Sequence, residues 1–259
     1  MFPNGTVSAW GQNNIPVLDY LSNIIEVSSG ADYGLALKFD GTVNSWGSNL
    51  WDQTTIPDDL SDVVAVEVRG LYSLALLSDG TITSWWPWVE GFVVDVSDQA
   101  PVPDDLSNVI AVEANEDNYL ALISDGTVRA WGSNSDGQAT VPDDLSGVVS
   151  IGVGDNHSLA LLSDGTVRAW GSNSDGQTAV PDDLSDVVAI EAGQSISLAL
   201  LSNGTVRFWG ADFYDTIIPN FSNVVSIEVN GNHSLALHSD GTVTDFGLFS
   251  CGELPDNFN

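Results

Sequence analysis

The sequence predicts an all-β fold, a single closed β-propeller domain over residues 1–259 with seven repeat positions. A Gly-Thr pair preceded by Asn or Asp recurs seven times, at Gly5, Gly41, Gly80, Gly126, Gly165, Gly204 and Gly241. Successive copies lie 36, 39, 46, 39, 39 and 37 residues apart, a period that marks one supersecondary unit per repeat. No segment shows a helical period, and one strand of every unit is apolar on both faces. Strands buried on both sides and repeated every ~40 residues fit a ring of packed blades, whereas a two-sheet sandwich would expose one face of each sheet.

The clearest unit runs from His157 to Gly193 as HSLALLSDGTVRAWGSNSDGQTAVPDDLSDVVAIEAG. Its first strand, Asp186 to Ala192, is short, rich in β-branched residues and ends at Gly193, which suits a turn. The second, His157 to Leu162, is a nearly continuous apolar run and must bury both faces. Asp164-Gly165 predicts a tight hairpin turn of the primed type, which needs positive φ. The third strand follows as Thr166 to Trp170.

The same parsing gives first strands near Ile24, Val63, Val109, Val148, Val187 and Val224, and second strands near Leu35, Leu74, Leu120, Leu159, Leu198 and Leu235. Third strands number seven, so six complete three-stranded repeats are joined by an extra N-terminal strand, Gly5 to Trp10. That strand either completes a blade with C-terminal residues or belongs to a seventh blade that a partner finishes.

A first strand ending in Gly, then His-Ser-Leu-Ala-Leu, Asp-Gly-Thr-Val and Trp-Gly-Ser-Asn-x-x-Gly-Gln resembles the repeat of the chromosome-condensation-regulator family over essentially the whole chain. The short repeat is similar to that of the β-lactamase inhibitory protein II type. The resemblance implies a propeller. Members serve as exchange factors, photoreceptors and enzyme inhibitors, so it implies no single activity.

Five Lys+Arg stand against 36 Asp+Glu, a formal charge of -31 that repels nucleic acid and anionic membranes and attracts cations or basic protein patches. Cys251 is the sole cysteine, which excludes an intramolecular disulfide and a thiolate metal cage. The N-terminus lacks the basic stretch and apolar core of a secretory signal, and no run approaches the roughly 18 apolar residues of a membrane span. The expectation is a soluble protein without membrane insertion, in a cytoplasm or a virion.

If the strands run down, up and down, the Asp-Gly turns at Asp40, Asp79, Asp125, Asp164 and Asp240 share one end with the Pro-Asp-Asp turns at Asp58/Asp59, Asp104/Asp105, Asp143/Asp144 and Asp182/Asp183. Pro-Asp-Asp-Leu-Ser reads as turn chemistry, with a cation site or a dock for a basic partner as the sharper alternative. Calcium needs six to eight converging oxygens, and carboxylates spread around a ring do not supply them; no metal and no cofactor is expected.

At the opposite end the repeats stop agreeing. Ser133 to Gln138 and Ser172 to Gln177 are polar, while Leu50-Trp51, Phe213-Tyr214, Leu248-Phe249 and the insertion carrying Trp86, Trp88 and Phe92 are apolar. Large aromatics at variable loop positions on a rigid scaffold are the material of protein-binding hot spots, so these nine residues are the candidate partner site. Inward packing of Trp86 and Trp88 is the competing reading. Trp10, Trp46, Trp85, Trp131, Trp170 and Trp209 recur at the ends of third strands and read as core.

His157 and His233 share a strand-start position that suits a structural hydrogen bond, and Arg129, Arg168 and Arg207 recur where they offset carboxylates. No nucleophile elbow, phosphate loop, dinucleotide fingerprint or zinc-protease motif is present. The sequence therefore predicts a non-enzymatic propeller that binds another protein, either a soluble target or a virion component. The alternatives are a structural, decoration or receptor-binding component of a virus particle and a glycan-binding surface module.

Overall fold

The computed structural model describes residues 21–30, 32–70, 72–85, 101–115, 117–211, 221–231 and 233–247. These hold no helix and form six three-stranded antiparallel sheets, each of consecutive strands. The sheets are β1 (Ile24–Ser29), β2 (Tyr33–Lys38) and β3 (Val43–Gly47); β4 (Val63–Arg69), β5 (Tyr72–Leu77) and β6 (Ile82–Trp85); β7 (Val109–Asn115), β8 (Asn118–Ile123) and β9 (Val128–Gly132). They continue as β10 (Val148–Val153), β11 (His157–Leu162) and β12 (Val167–Gly171); β13 (Val187–Ala192), β14 (Ile196–Leu201) and β15 (Val206–Gly210); β16 (Val224–Asn230), β17 (His233–His238) and β18 (Val243–Gly247). The N-terminal strand at 5–10 and the closure of the ring lie outside the described residues.

The all-apolar second strand becomes the middle strand, buried on both faces. Each first strand carries a β-bulge: Val63 pairs with Leu77 and Ala65 with Leu76, which leaves Val64 as the extra residue. The same shift occurs in all six sheets. A bulge reverses the alternation that follows it. Residues one, four and six of the first strand then face the preceding sheet, and three, five and seven the following one. Val63, Val66 and Val68, with Ala75 and Trp85, pack on Tyr33, Leu35 and Leu37 of the sheet before. Leu120 and Leu122 meet Val148, Ile151, Val153, Ala160 and Trp170 in the same manner. Each fully buried Leu or Val in such a seam stabilises by roughly 1.5–3 kcal/mol.

First strands touch in chain order from β1 to β16. The side chain of Glu67 on β4 also feels Glu228 on β16, four sheets away, so the first strands curve around a common axis. The outer sheets keep one apolar face partly open: Val27 of β1 is 41% exposed and Leu237 of β17 39%, whereas Val66 and Leu76 at the matching places are at most 1%.

The Asp-Gly turns differ from the primed type that their sequence suggests. Gly41 N–H bonds to Lys38 O and Lys38 N–H to Thr42 O, which defines a three-residue loop ending in a Gly bulge. Only the glycine takes positive φ, +79° at Gly41. The physical reason is the aspartate: Asp40 Oδ1 accepts from Thr42 N at 3.1 Å and Thr42 Oγ1 at 2.6 Å, which holds Asp40 out of the left-handed region. Asp79, Asp125, Asp164, Asn203 and Asp240 repeat the arrangement.

Candidate functional site

The variable loops follow the third strands and sit at the end opposite the Asp-Gly turns: Ser48 N–H bonds to Asp32 O and Ser172 N–H to Asn156 O, next to where the second strands begin. Three of them are described, and they share one skeleton. Asn49, Asn134 and Asn173 each accept through Oδ1 from the backbone N–H five residues on, at 3.0–3.1 Å. Gln53, Gln138 and Gln177 are buried, and their Oε1 atoms accept from the N–H two residues back at 2.9 Å. Between Asn and Gln the chain needs one left-handed residue, which is Gly137, Gly176 or, in the apolar loop, Asp52 at φ +59°.

In the two polar loops the same Gln ties the loop to the next blade, whereas in the apolar loop Trp85 Nε1 makes no such bond to Gln53. Gln138 O accepts from Trp170 Nε1 at 2.9 Å and Ser158 Oγ at 3.0 Å, and Gln177 O accepts from Trp209 Nε1 and Ser197 Oγ. Trp46, Trp85, Trp131, Trp170 and Trp209 are all buried, as core residues should be.

Two residues in each loop change while the Asn and Gln around them recur. They are Ser135-Asp136, Ser174-Asp175 and Leu50-Trp51. Leu50 is 85% exposed and Trp51 37% exposed with its backbone N–H fixed by Gln53, so an apolar pair stands at the tip of a rigid hairpin. Of the nine candidate residues these two are placed here. Trp86, Trp88, Phe92, Phe213, Tyr214, Leu248 and Phe249 lie outside the described residues.

Two polar networks carry weak sequence signals, the first of them buried. Side chains bridge successive middle strands: Tyr33 Oη to Ser73 Oγ at 2.9 Å, Asn118 Nδ2 to Ser158 Oγ at 3.2 Å and His157 Nε2 to Ser197 Oγ at 2.9 Å. Burial lowers the His157 pKa to about 4, so the ring is neutral at physiological pH. The second network lines the axis. Glu67, Glu113, Glu191 and Glu228 occupy the fifth position of β4, β7, β13 and β16, and Glu26 reaches in from β1. Burial pushes all five carboxyl groups up; mutual repulsion adds to it for Glu67, Glu113 and Glu191, and Arg69 opposes it for the four on β4, β7, β13 and β16. Arg69 Nε donates to Ala114 O across the sheet boundary at 2.6 Å. A fivefold phase in the first strand was the available signal, but only the bulge tells which way those residues point.

Three further arginines sit in surface pairs: Arg129 with Asp105, Arg168 with Asp144 and Arg207 with Asp183, at 2.9–3.1 Å. Such exposed pairs contribute about 0–1 kcal/mol. Among the described residues no group of three His, Cys, Asp or Glu side chains is arranged to hold a metal ion. No helix among them is long and apolar enough to cross a membrane.

The repeat family "Regulator of chromosome condensation (RCC1) repeat" matches residues 24–50, 109–138 and 148–177. Those three stretches are RCC1-like repeats. Each matched stretch covers the three strands of one sheet, and two of the three end at the loop glutamines Gln138 and Gln177. The solved structures agree on the fold. Prp20p from Saccharomyces cerevisiae, described with its binding to Gsp1p and histones, superposes with a TM-score of 0.67 at 19% identity, covering 92% of this chain and 80% of that one. Yeast RCC1 (Prp20) bound to Kap60 gives 0.66 at 22% identity over 86% and 70%. The CRINKLY WD40 ectodomain of the Arabidopsis thaliana receptor kinase ACR4 gives 0.72 at 16% identity over 90% and 82%. No curated protein matches the sequence.

Proposed function

We propose that this chain is a non-enzymatic protein-binding scaffold, a single propeller of seven positions whose variable loop tips grip a partner protein. The observation that carries the reading is the division of labour in the loops. Asn, Gln and one left-handed residue recur to set the shape, while the displayed pair changes from Ser-Asp to Leu-Trp, with Leu50 at 85% exposure. An exposed apolar and aromatic pair on a rigid mount loses little entropy on binding. Structural relatives that bind proteins, among them Prp20 with Kap60, lend support. The partly open apolar faces at Val27 and Leu237 support a seventh position between the outer sheets.

The test exchanges one tip for another of the chain's own. The double variant Leu50→Ser/Trp51→Asp keeps the Asn49 and Gln53 skeleton and adopts the tip of the fourth repeat. Wild type and variant are used in parallel to isolate binding partners from the native source. Loss of one stoichiometric partner with the variant supports the reading, and an unchanged set of partners overturns it. The stoichiometry also sorts the partner: one to one indicates a soluble target, symmetric multiples a virion component.

A further inference from the structure

The Asp-Gly end of the ring carries a feature that the loop tips do not account for. Each bulge throws the second residue of its first strand out of the seam, and in all six sheets that residue is Val or Ile. Ile25, Val64, Ile110, Val149, Val188 and Val225 are 48–58% exposed, while the third residue of the same strands is Glu, Ala or Ser. These side chains stand at the Asp-Gly end, because the preceding repeat's turn glycine accepts the N–H of the first strand's opening residue: Val63 N–H to Gly41 O, Val148 N–H to Gly126 O, Val187 N–H to Gly165 O. The first strands follow one another around the axis, so these six apolar residues form a partial collar at its mouth.

Carboxylates surround the collar. Asp62 and Asp186 directly precede two of the first strands, and Asp40, Asp79, Asp125, Asp164 and Asp240 occupy the neighbouring turns. Of the five Lys and Arg residues, three are paired with Asp105, Asp144 and Asp183, Arg69 lies at the opposite end of β4, and Lys38 stands at this end near Asp40, with no ion pair among the described residues. An apolar ring inside an acidic rim complements a ligand with the inverse pattern.

We propose that this end is a second docking surface, on which the collar receives the apolar tip of a basic protein segment and the rim engages its Lys and Arg residues. The proposal does not rest on the loop reading. Charge alone would attract any polycation, and only the collar distinguishes an apolar tip.

Two fluorescein-labelled peptides test it on the full chain, one alternating Lys with Leu and one of the same length alternating Lys with Ser. The wild-type protein binds the Lys-Leu peptide at least about tenfold more tightly than the Lys-Ser peptide. The triple variant Val149→Thr/Val188→Thr/Val225→Thr keeps β-branching and strand preference but removes apolar surface. Its melting temperature stays close to wild type and its preference falls to near unity. If it melts early, the single Val149→Thr variant is read instead, with a loss of about twofold. Asp62→Asn/Asp186→Asn weakens both peptides alike, and Leu50→Ser/Trp51→Asp alters neither. Equal affinity of wild type for both peptides, or a preference that survives the Thr substitutions, overturns the proposal.

Discussion

At the scale of single residues, the backbone decides which positions tolerate change. Gly137 at φ +85° and Gly80 at φ +81° look alike in dihedral, but nothing lies within 4 Å of a Cβ added to Gly137, whereas one on Gly80 would meet Asn108 Cα at 3.0 Å and its N at 3.1 Å. Asp52 already occupies the place of Gly137 in another repeat. Gly137→Asn is therefore expected to cost less than about 1 kcal/mol, the residual strain of a left-handed Asn, and Gly80→Asn clearly more. Urea unfolding of the two variants checks the order; equal losses would contradict it. His157 offers a second residue-scale outcome. Its pKa falls from 6.5 to about 4 in the folded state, so its contribution to stability is present above pH 6.5 and is lost as pH falls toward 4. Its ring resonances should hold still in an NMR titration from pH 8 to pH 5, and a midpoint near 6.5 would contradict the burial.

At the scale of elements, the Gln-centred loop and the third-strand Trp form one fastening between neighbouring blades. Trp170→Phe keeps one aromatic ring in the seam but leaves a small void and removes the donor to Gln138 O, which keeps Ser158 Oγ, so the expected cost is about 1–2 kcal/mol. Trp170→Ala also opens a cavity, at about 3–5 kcal/mol. Thermal unfolding separates the two. Much of this was readable from the sequence, because Trp170, the apolar run Ser158 to Leu162 and the Asp164-Gly165 turn act locally and repeat. The facing of the first strand was not. Alternation alone would set Val63, Ala65 and Glu67 on one face; the bulge at Val64 instead sends Val63 into the seam behind and Glu67 toward the axis. The axial glutamates and the exposed collar both follow from that one extra residue. The turn type escaped for a similar reason, since the Asp40 carboxylate bonds to Thr42 and leaves positive φ to Gly41.

At the scale of the whole molecule, two sets of carboxylates respond to pH in opposite directions. The axial glutamates have folded pKa values above their ordinary 4.5, so their contribution is fully present below 4.5 and is lost as pH rises through the raised values. Asp40, Asp79, Asp125, Asp164 and Asp240 are held below 3.8, first by the side-chain bond from the neighbouring Thr, and their contribution is present above 3.8 and lost as pH falls. The net charge of -31 adds repulsion that acid and salt both relieve. Stability should therefore rise as pH falls from 8 to about 6.5, below which His157 works against it, and rise with salt at pH 8. Glu113→Gln should stabilise the protein at pH 8, where the buried carboxyl disfavours its charged form, and flatten the pH profile. Melting curves followed by tryptophan fluorescence test this, and a destabilised Glu113→Gln would contradict it.

The central claim is that a rigid ring presents variable loop tips to a protein partner. Hydrogen–deuterium exchange of the protein with and without its isolated partner tests this most directly. The account predicts new protection in the loop from Ser48 to Thr54 and in the matching segments after the other third strands. Protection confined elsewhere, with the Ser48 to Thr54 loop exchanging as in the free protein, would contradict it.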